Sequence, residues 1–199
     1  MTARVPSLSH GEPYGTIPLW CKGGTRLQDN IIVKPSVEKQ FDRFLRQGRV
    51  LFFSAPCGFG KTAVAEALLS SREVLRLPAD SAGFKLPSAE ADWQILLLDD
   101  LQDMQEEQDW NALCELIRAC PERRFVLLSR GTPPGSLMAF QYTGLMTVLE
   151  ADDLLFDADD VRRLLRLYGV EAADSEIDGI LKESVGYPLG VAITARCMS

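Results

Sequence analysis

Two glycines, a lysine and a threonine are spaced for phosphate chemistry in the run Ala55-Pro56-Cys57-Gly58-Phe59-Gly60-Lys61-Thr62. Backbone N–H groups that turn inward in succession wrap an anion, and glycines let the chain approach it without a Cβ in the way. Lys61 then supplies a fixed cation for the terminal phosphates, and the Thr62 hydroxyl is a ligand for a magnesium ion. Cys57, Gly58, Phe59, Gly60, Lys61, Thr62 and Ala63 are therefore the candidate phosphate-binding residues. The run departs from the pattern G-x-x-x-x-G-K-[ST] at its first position, where Ala55 replaces glycine.

A second constellation lies downstream. Ile95-Leu96-Leu97-Leu98 is the continuous apolar run expected of a strand buried on both faces, and it is closed by Asp99 and Asp100. Ligands of open α/β sheets gather at the carboxyl ends of the strands, so these carboxylates are expected to face the same crevice as the loop. Asp99 is the candidate metal ligand with Thr62. Asp100 is the candidate for orienting an attacking water, and with Lys61 it makes up the candidate catalytic pair. Phe125-Val126-Leu127-Leu128 is a further buried strand ending in Ser129-Arg130, which positions Arg130 to reach a terminal phosphate bidentately.

The elements that must hold these residues are legible in the periodicity. Val50-Leu51-Phe52-Phe53 reads as the strand before the loop, and Ala63 to Leu69 as the helix after it, whose positive N-terminal end faces the anion. Upstream, Val37, Phe41, Phe44 and Leu45 recur at helical spacing until Gly48. Val74 to Leu77 and Leu145 to Leu149 are two more strands, giving a sheet of about five. Trp110, Leu113, Cys114 and Ile117 mark an amphipathic helix ended by Pro121. From residue 153 three helical patterns follow, around Val161 to Tyr168, Ile177 to Leu181 and Leu189 to Ile193, the last after Pro188. The acidic residues Asp152-Asp153 and Asp157 to Asp160 are read as caps of the first of these. The expected organisation is a mobile leader over residues 1–30, an α/β P-loop NTPase domain with a parallel sheet over 31–152, and a helical lid over 153–199.

Composition narrows the function classes. A formal charge of −7, with no segment rich enough in Lys and Arg to form a basic stripe, disfavours direct binding of nucleic acid. No stretch reaches the roughly 20 apolar residues that span a bilayer, and Met1 to Gly15 lacks the apolar core of a signal peptide, so a cytoplasmic protein with no membrane contact is expected. Five cysteines at irregular spacings form neither a disulfide framework nor a metal signature, which fits reduced thiols. Cys57 is read as a small filler at a permissive loop position, and the lone His10 as a solvated residue.

The loop, the run Leu96 to Asp100, Leu127-Leu128-Ser129-Arg130 and Gly186-Tyr187-Pro188-Leu189-Gly190 together resemble the nucleotide-binding module of STAND ATPases, in the MalT-like branch of LuxR-type transcriptional regulators. The similarity runs from about Ile31 to Ser199, and alanine at the first loop position is common in that family. The resemblance implies a slow regulatory ATPase that rests with ADP and self-associates with ATP. It implies that Lys61 and Thr62 bind phosphate and magnesium, that Asp99 assists the metal, that Asp100 supports hydrolysis and that Arg130 senses the γ-phosphate. It further implies that adenine packs on Pro188 and touches Ile32, Val33 and Pro35. In the family DNA is bound through a C-terminal domain that does not fit after Ser199, which leaves an excised piece or a stand-alone switch. Only 38 positions separate Lys61 from Asp99, so the helix that normally precedes the Asp-Asp strand is expected to be reduced or missing. A small-molecule kinase and a nucleotide-binding module without hydrolysis are the alternatives; a GTPase lacks its Asn-Lys-x-Asp element here.

Overall fold

The computed structural model describes residues 31–80, 84–104 and 106–199. The expected leader over 1–30, with His10 and Cys21, lies outside them.

Helix α1 (Pro35–Gln47) buries Val37, Phe41 and Phe44 and ends where the Gly48 N–H bonds to the Phe44 carbonyl. Strand β1 (Val50–Ser54) leads into the glycine loop and helix α2 (Lys61–Leu69). Strands β2 (Val74–Pro78) and β3 (Ile95–Asp99) follow, then α3 (Glu107–Ala119) and β4 (Arg124–Ser129). A short α4 (Met138–Tyr142), β5 (Met146–Glu150) and a one-turn α5 (Ala151–Leu154) complete the α/β part. Helices α6 (Ala158–Leu167), α7 (Asp174–Ser184) and α8 (Pro188–Met198) form a C-terminal helical group with a core of its own, the part expected from sequence to be the lid and hereafter called so.

All strand pairs are parallel, in the order β2-β3-β4-β1-β5. β1 thus runs between β4 and β5, and β4 separates it from β3. Alternate side chains of the inner strands feed opposite cores, because successive residues of a strand point to opposite faces. Phe52, Leu96, Leu98, Phe125 and Leu127 meet α3 and α4 on one face, whereas Leu51, Phe53, Leu97, Val126 and Leu128 meet α1 and α2 on the other. Each such fully buried side chain stabilises the fold by about 1.5–3 kcal/mol relative to exposure. This double burial explains the unbroken apolar runs, and it holds the carboxyl ends Ser54, Asp99 and Ser129 along one edge of the sheet.

Between β2 and β3 the described residues form no helix; Phe84, Leu86 and Trp93 cover that part of the sheet instead. A helix expected to be reduced or missing before the Asp-Asp strand is thus not formed by the described residues.

One expectation is corrected. Asp152 and Asp153 do not cap the first lid helix. They lie in α5, where the Asp153 carboxylate accepts from the Glu150 N–H at 2.8 Å. Asp157 does cap α6, accepting from the N–H groups of Asp159 and Asp160 at 3.0 Å each.

A third core holds the lid together. Val161, Leu164, Leu165, Ile177, Ile180, Val191 and Ala195 pack around Ile32, which comes from the segment before α1. Among the described residues no helix is long and apolar enough to cross a membrane, and Cys57, Cys114, Cys120 and Cys197 are free thiols.

Candidate functional site

The loop after β1 turns twice through the left-handed region, at Gly58 (φ 83°) and Gly60 (φ 78°), which residues with a Cβ rarely adopt. Gly60 is also the N-cap of α2, so the helix begins at Lys61 with its first N–H groups facing the loop. Lys61 Nζ donates to the carbonyls of Ala55 at 2.7 Å and Pro56 at 3.1 Å, which folds the ammonium across the loop. Partial burial pushes this lysine below its ordinary pKa, and the nearby Asp99 pulls it in the opposite direction.

Thr62 Oγ1 donates to Asp99 Oδ2 at 2.8 Å. The hydroxyl of α2 and the carboxylate at the end of β3 therefore meet over the end of β4. The other Asp99 oxygen accepts from the Asp100 N–H at 2.8 Å. Asp100 itself sits in the left-handed region (φ 55°), which turns the chain sharply out of β3. Its Oδ1 accepts from Gln102 Nε2 at 2.8 Å and from Arg130 Nη2 at 3.4 Å. Gln102 Oε1 in turn accepts from the Arg130 backbone N–H at 3.2 Å, which pins the end of β4 to the end of β3.

These groups share one cavity of about 560 Å³. Cys57, Gly58, Phe59, Gly60, Lys61, Thr62 and Ala63 line it, as do Asp99, Asp100 and Arg130. The rest of the lining is largely apolar, with Val37 from α1, Ile31 and Ile32 from the segment before it, and Phe156, Leu164, Pro188 and Ala192 from the lid. One end thus carries charge and free backbone donors and the other presents apolar surface, the composition expected of a small-molecule site.

Val33 and Pro35 are not among the lining residues. Val33 packs against the core beneath α1 and α2, and Pro35 is the exposed first residue of α1. Lys34, between them, does line the cavity; its Nζ donates to the Leu155 carbonyl and lies 3.9 Å from the buried Asp160.

No family model matches the chain, and no curated protein matches it. Solved structures do. The RuvB Holliday junction branch migration motor of Thermotoga maritima is 16% identical with a TM-score of 0.58, over 83% of this chain and 61% of that one. The replication initiator DnaA bound to AMPPCP and single-stranded DNA is 16% identical with a TM-score of 0.59, over 85% and 63%. The fold is that of a P-loop NTPase. A Walker-type ATPase of Pyrococcus abyssi, 12% identical with a TM-score of 0.58, shares it over 83% of this chain. The chain spans less than two thirds of the length of RuvB and of DnaA.

Within this P-loop NTPase fold, three contributors had no role assigned from sequence. Gln102 lies two positions beyond Asp100, a proximity that was the only available signal. Lys34 stands between Val33 and Pro35, the two residues that the resemblance points to. Tyr187 precedes Pro188 in the motif Gly186-Tyr187-Pro188, and its hydroxyl donates to the Cys57 carbonyl at 3.0 Å.

Proposed function

We propose that the chain binds an adenine nucleotide with magnesium in this cavity and works as a slow ATPase switch, the nucleotide-binding module of a MalT-like STAND transcriptional regulator. The observation that carries the reading is the Thr62–Asp99 contact at 2.8 Å beside Lys61, because it brings two hard oxygen donors together where the terminal phosphates would lie. Magnesium fits such a donor set, since it takes one or two protein oxygens and completes its shell with phosphate oxygens and water. Among the described residues no cluster of three acidic, histidine or cysteine ligands offers a self-sufficient metal cage, in keeping with a metal that arrives with its nucleotide. When bound, the ion would neutralise charge on the phosphates.

The chain's own groups divide the remaining work. The Lys61 ammonium, freed from the Ala55 and Pro56 carbonyls, holds the phosphate oxygens, and Asp100 accepts a hydrogen bond from the attacking water. Arg130 is poised to exchange partners. Its pair with Asp100 is half-exposed, and a surface ion pair of this kind stabilises by only about 0–1 kcal/mol. A γ-phosphate offers the guanidinium more charge and a bidentate geometry, so ATP takes Arg130 from Asp100 and ADP does not. That exchange would set the state that self-associates. The apolar end accepts the adenine against Ile32 and Pro188.

One observation favours a second reading, a binding module without hydrolysis: Asp100 Oδ1 is already engaged by Gln102 and Arg130. Calorimetry with ADP and ATP, with and without magnesium, together with identification of any nucleotide that co-purifies, tests the proposal. Magnesium-dependent binding and retained ADP are expected. A chain that binds neither nucleotide overturns it, and one that binds both without turnover leaves the second reading.

A further inference from the structure

The residue before α8 reaches back to the phosphate loop. Tyr187 Oη donates to the Cys57 carbonyl at 3.0 Å, and the Leu189 N–H donates to the Gly58 carbonyl at 3.2 Å. The Tyr187 ring also meets Phe59, with centroids 5.2 Å apart and planes tilted by 59°. Two consecutive loop carbonyls are therefore held by the lid.

Tyr187 does not line the cavity, although Cys57, Gly58 and Phe59 do. A trans peptide is planar, with its N–H pointing opposite to its C=O. A Cys57 carbonyl drawn out toward Tyr187 thus turns the Gly58 N–H the other way, into the cavity. Among the described residues the N–H groups of Gly58, Phe59 and Gly60 have no protein acceptor, which leaves them for an anion. Gly58 is shaped for the contact as well as for its φ: a Cβ there would stand 1.8 Å from Tyr187 Oη.

We infer that Tyr187 is a positioning residue of the phosphate loop: from the lid it fixes the Cys57–Gly58 peptide so that its N–H faces the phosphates, and it thereby couples lid seating to phosphate affinity. The inference rests on reading the cavity as a nucleotide site. By linkage, a nucleotide that gains from the oriented N–H holds the lid seated by the same factor, and a lid pulled away loosens the phosphates.

Tyr187→Phe keeps the ring against Phe59 and removes only the hydroxyl. Calorimetric titration of wild type and variant with ADP and with adenosine separates the roles. ADP should bind about 3- to 10-fold more weakly to the variant, the size of one hydrogen bond, and leave faster in a stopped-flow chase, while adenosine affinity stays unchanged. Equal weakening for adenosine and ADP would show that Tyr187 merely seats the lid over the base and would overturn the inference. Unchanged ADP affinity would overturn it too. If wild type binds no ADP, the nucleotide reading itself falls, and the inference with it.

Discussion

Thr62 and Asp99 touch at 2.8 Å although they are 37 positions apart, and although β1, which leads into the helix that carries Thr62, is not a neighbour of β3, which ends at Asp99. The order β3-β4-β1 forces the contact to arch over the end of β4, and this is the place where Arg130 emerges. Removing either oxygen should therefore uncouple metal from nucleotide. Thr62→Val and Asp99→Asn are expected to lose most of the magnesium enhancement of ATP affinity while keeping metal-free binding. A magnesium enhancement equal to wild type in both variants would argue against this pair as the ligands.

Lys61→Ala removes the fixed cation and should abolish ATP and ADP binding in calorimetry. The fold should survive, because the ammonium bonds only to loop carbonyls; an undiminished ATP affinity would contradict the assignment.

Arg130→Ala should weaken ATP more than ADP, by roughly 10- to 150-fold for a charge-assisted bond of about 1.5–3 kcal/mol. Equal losses for both nucleotides would remove its sensor role. Asp100→Asn should bind ATP as wild type does but release phosphate more slowly, and an unchanged turnover rate would point to another group for the water.

Two carboxylates at the start of α6 should give opposite pH signatures in unfolding experiments. Burial raises the Asp160 pKa despite Lys34 and Arg163 nearby, so its contribution is full below the ordinary value near 4 and is lost as pH rises through the folded value. Asp160→Asn should accordingly gain on wild type as pH rises above about 4. The Asp160 N–H bond, helped by that of Asp159, lowers the Asp157 pKa, so its contribution is present above the ordinary value and is lost as pH falls through the folded one. Asp157→Ala should cost about 1 kcal/mol near neutrality and progressively less in acid. A flat difference across pH 3 to 8 for both variants, read by urea titration, would contradict the scheme.

The sheet was readable because burial on both faces leaves β1, β3 and β4 with no polar interruption, and the long helices because their apolar stripes repeat. The short α4 and α5 were not readable: five and four residues carry too little of a 3.6-residue period to register. Among the site residues, the loop, Asp99, Asp100 and Arg130 follow from their places at strand ends. Which residues before α1 face the cavity follows no simple alternation, and only the structure shows that Ile31, Ile32 and Lys34 line it and Val33 does not. The Tyr187–Cys57 contact joins residues 130 positions apart and leaves no local signal.

That segment before α1 ties the lid to the sheet. Ile32 is gripped by the lid core, Val33 by the core beneath the sheet, and Lys34 by the Leu155 carbonyl at the root of the lid. Three consecutive residues thus straddle the joint about which the lid would swing. A swing must either drag Ile32 along or tear it out, so the angle of the lid is written into the backbone at residues 31–34. If the proposed nucleotide exchange swings the lid, a spectroscopic label placed there should report it without touching the cavity's phosphate end.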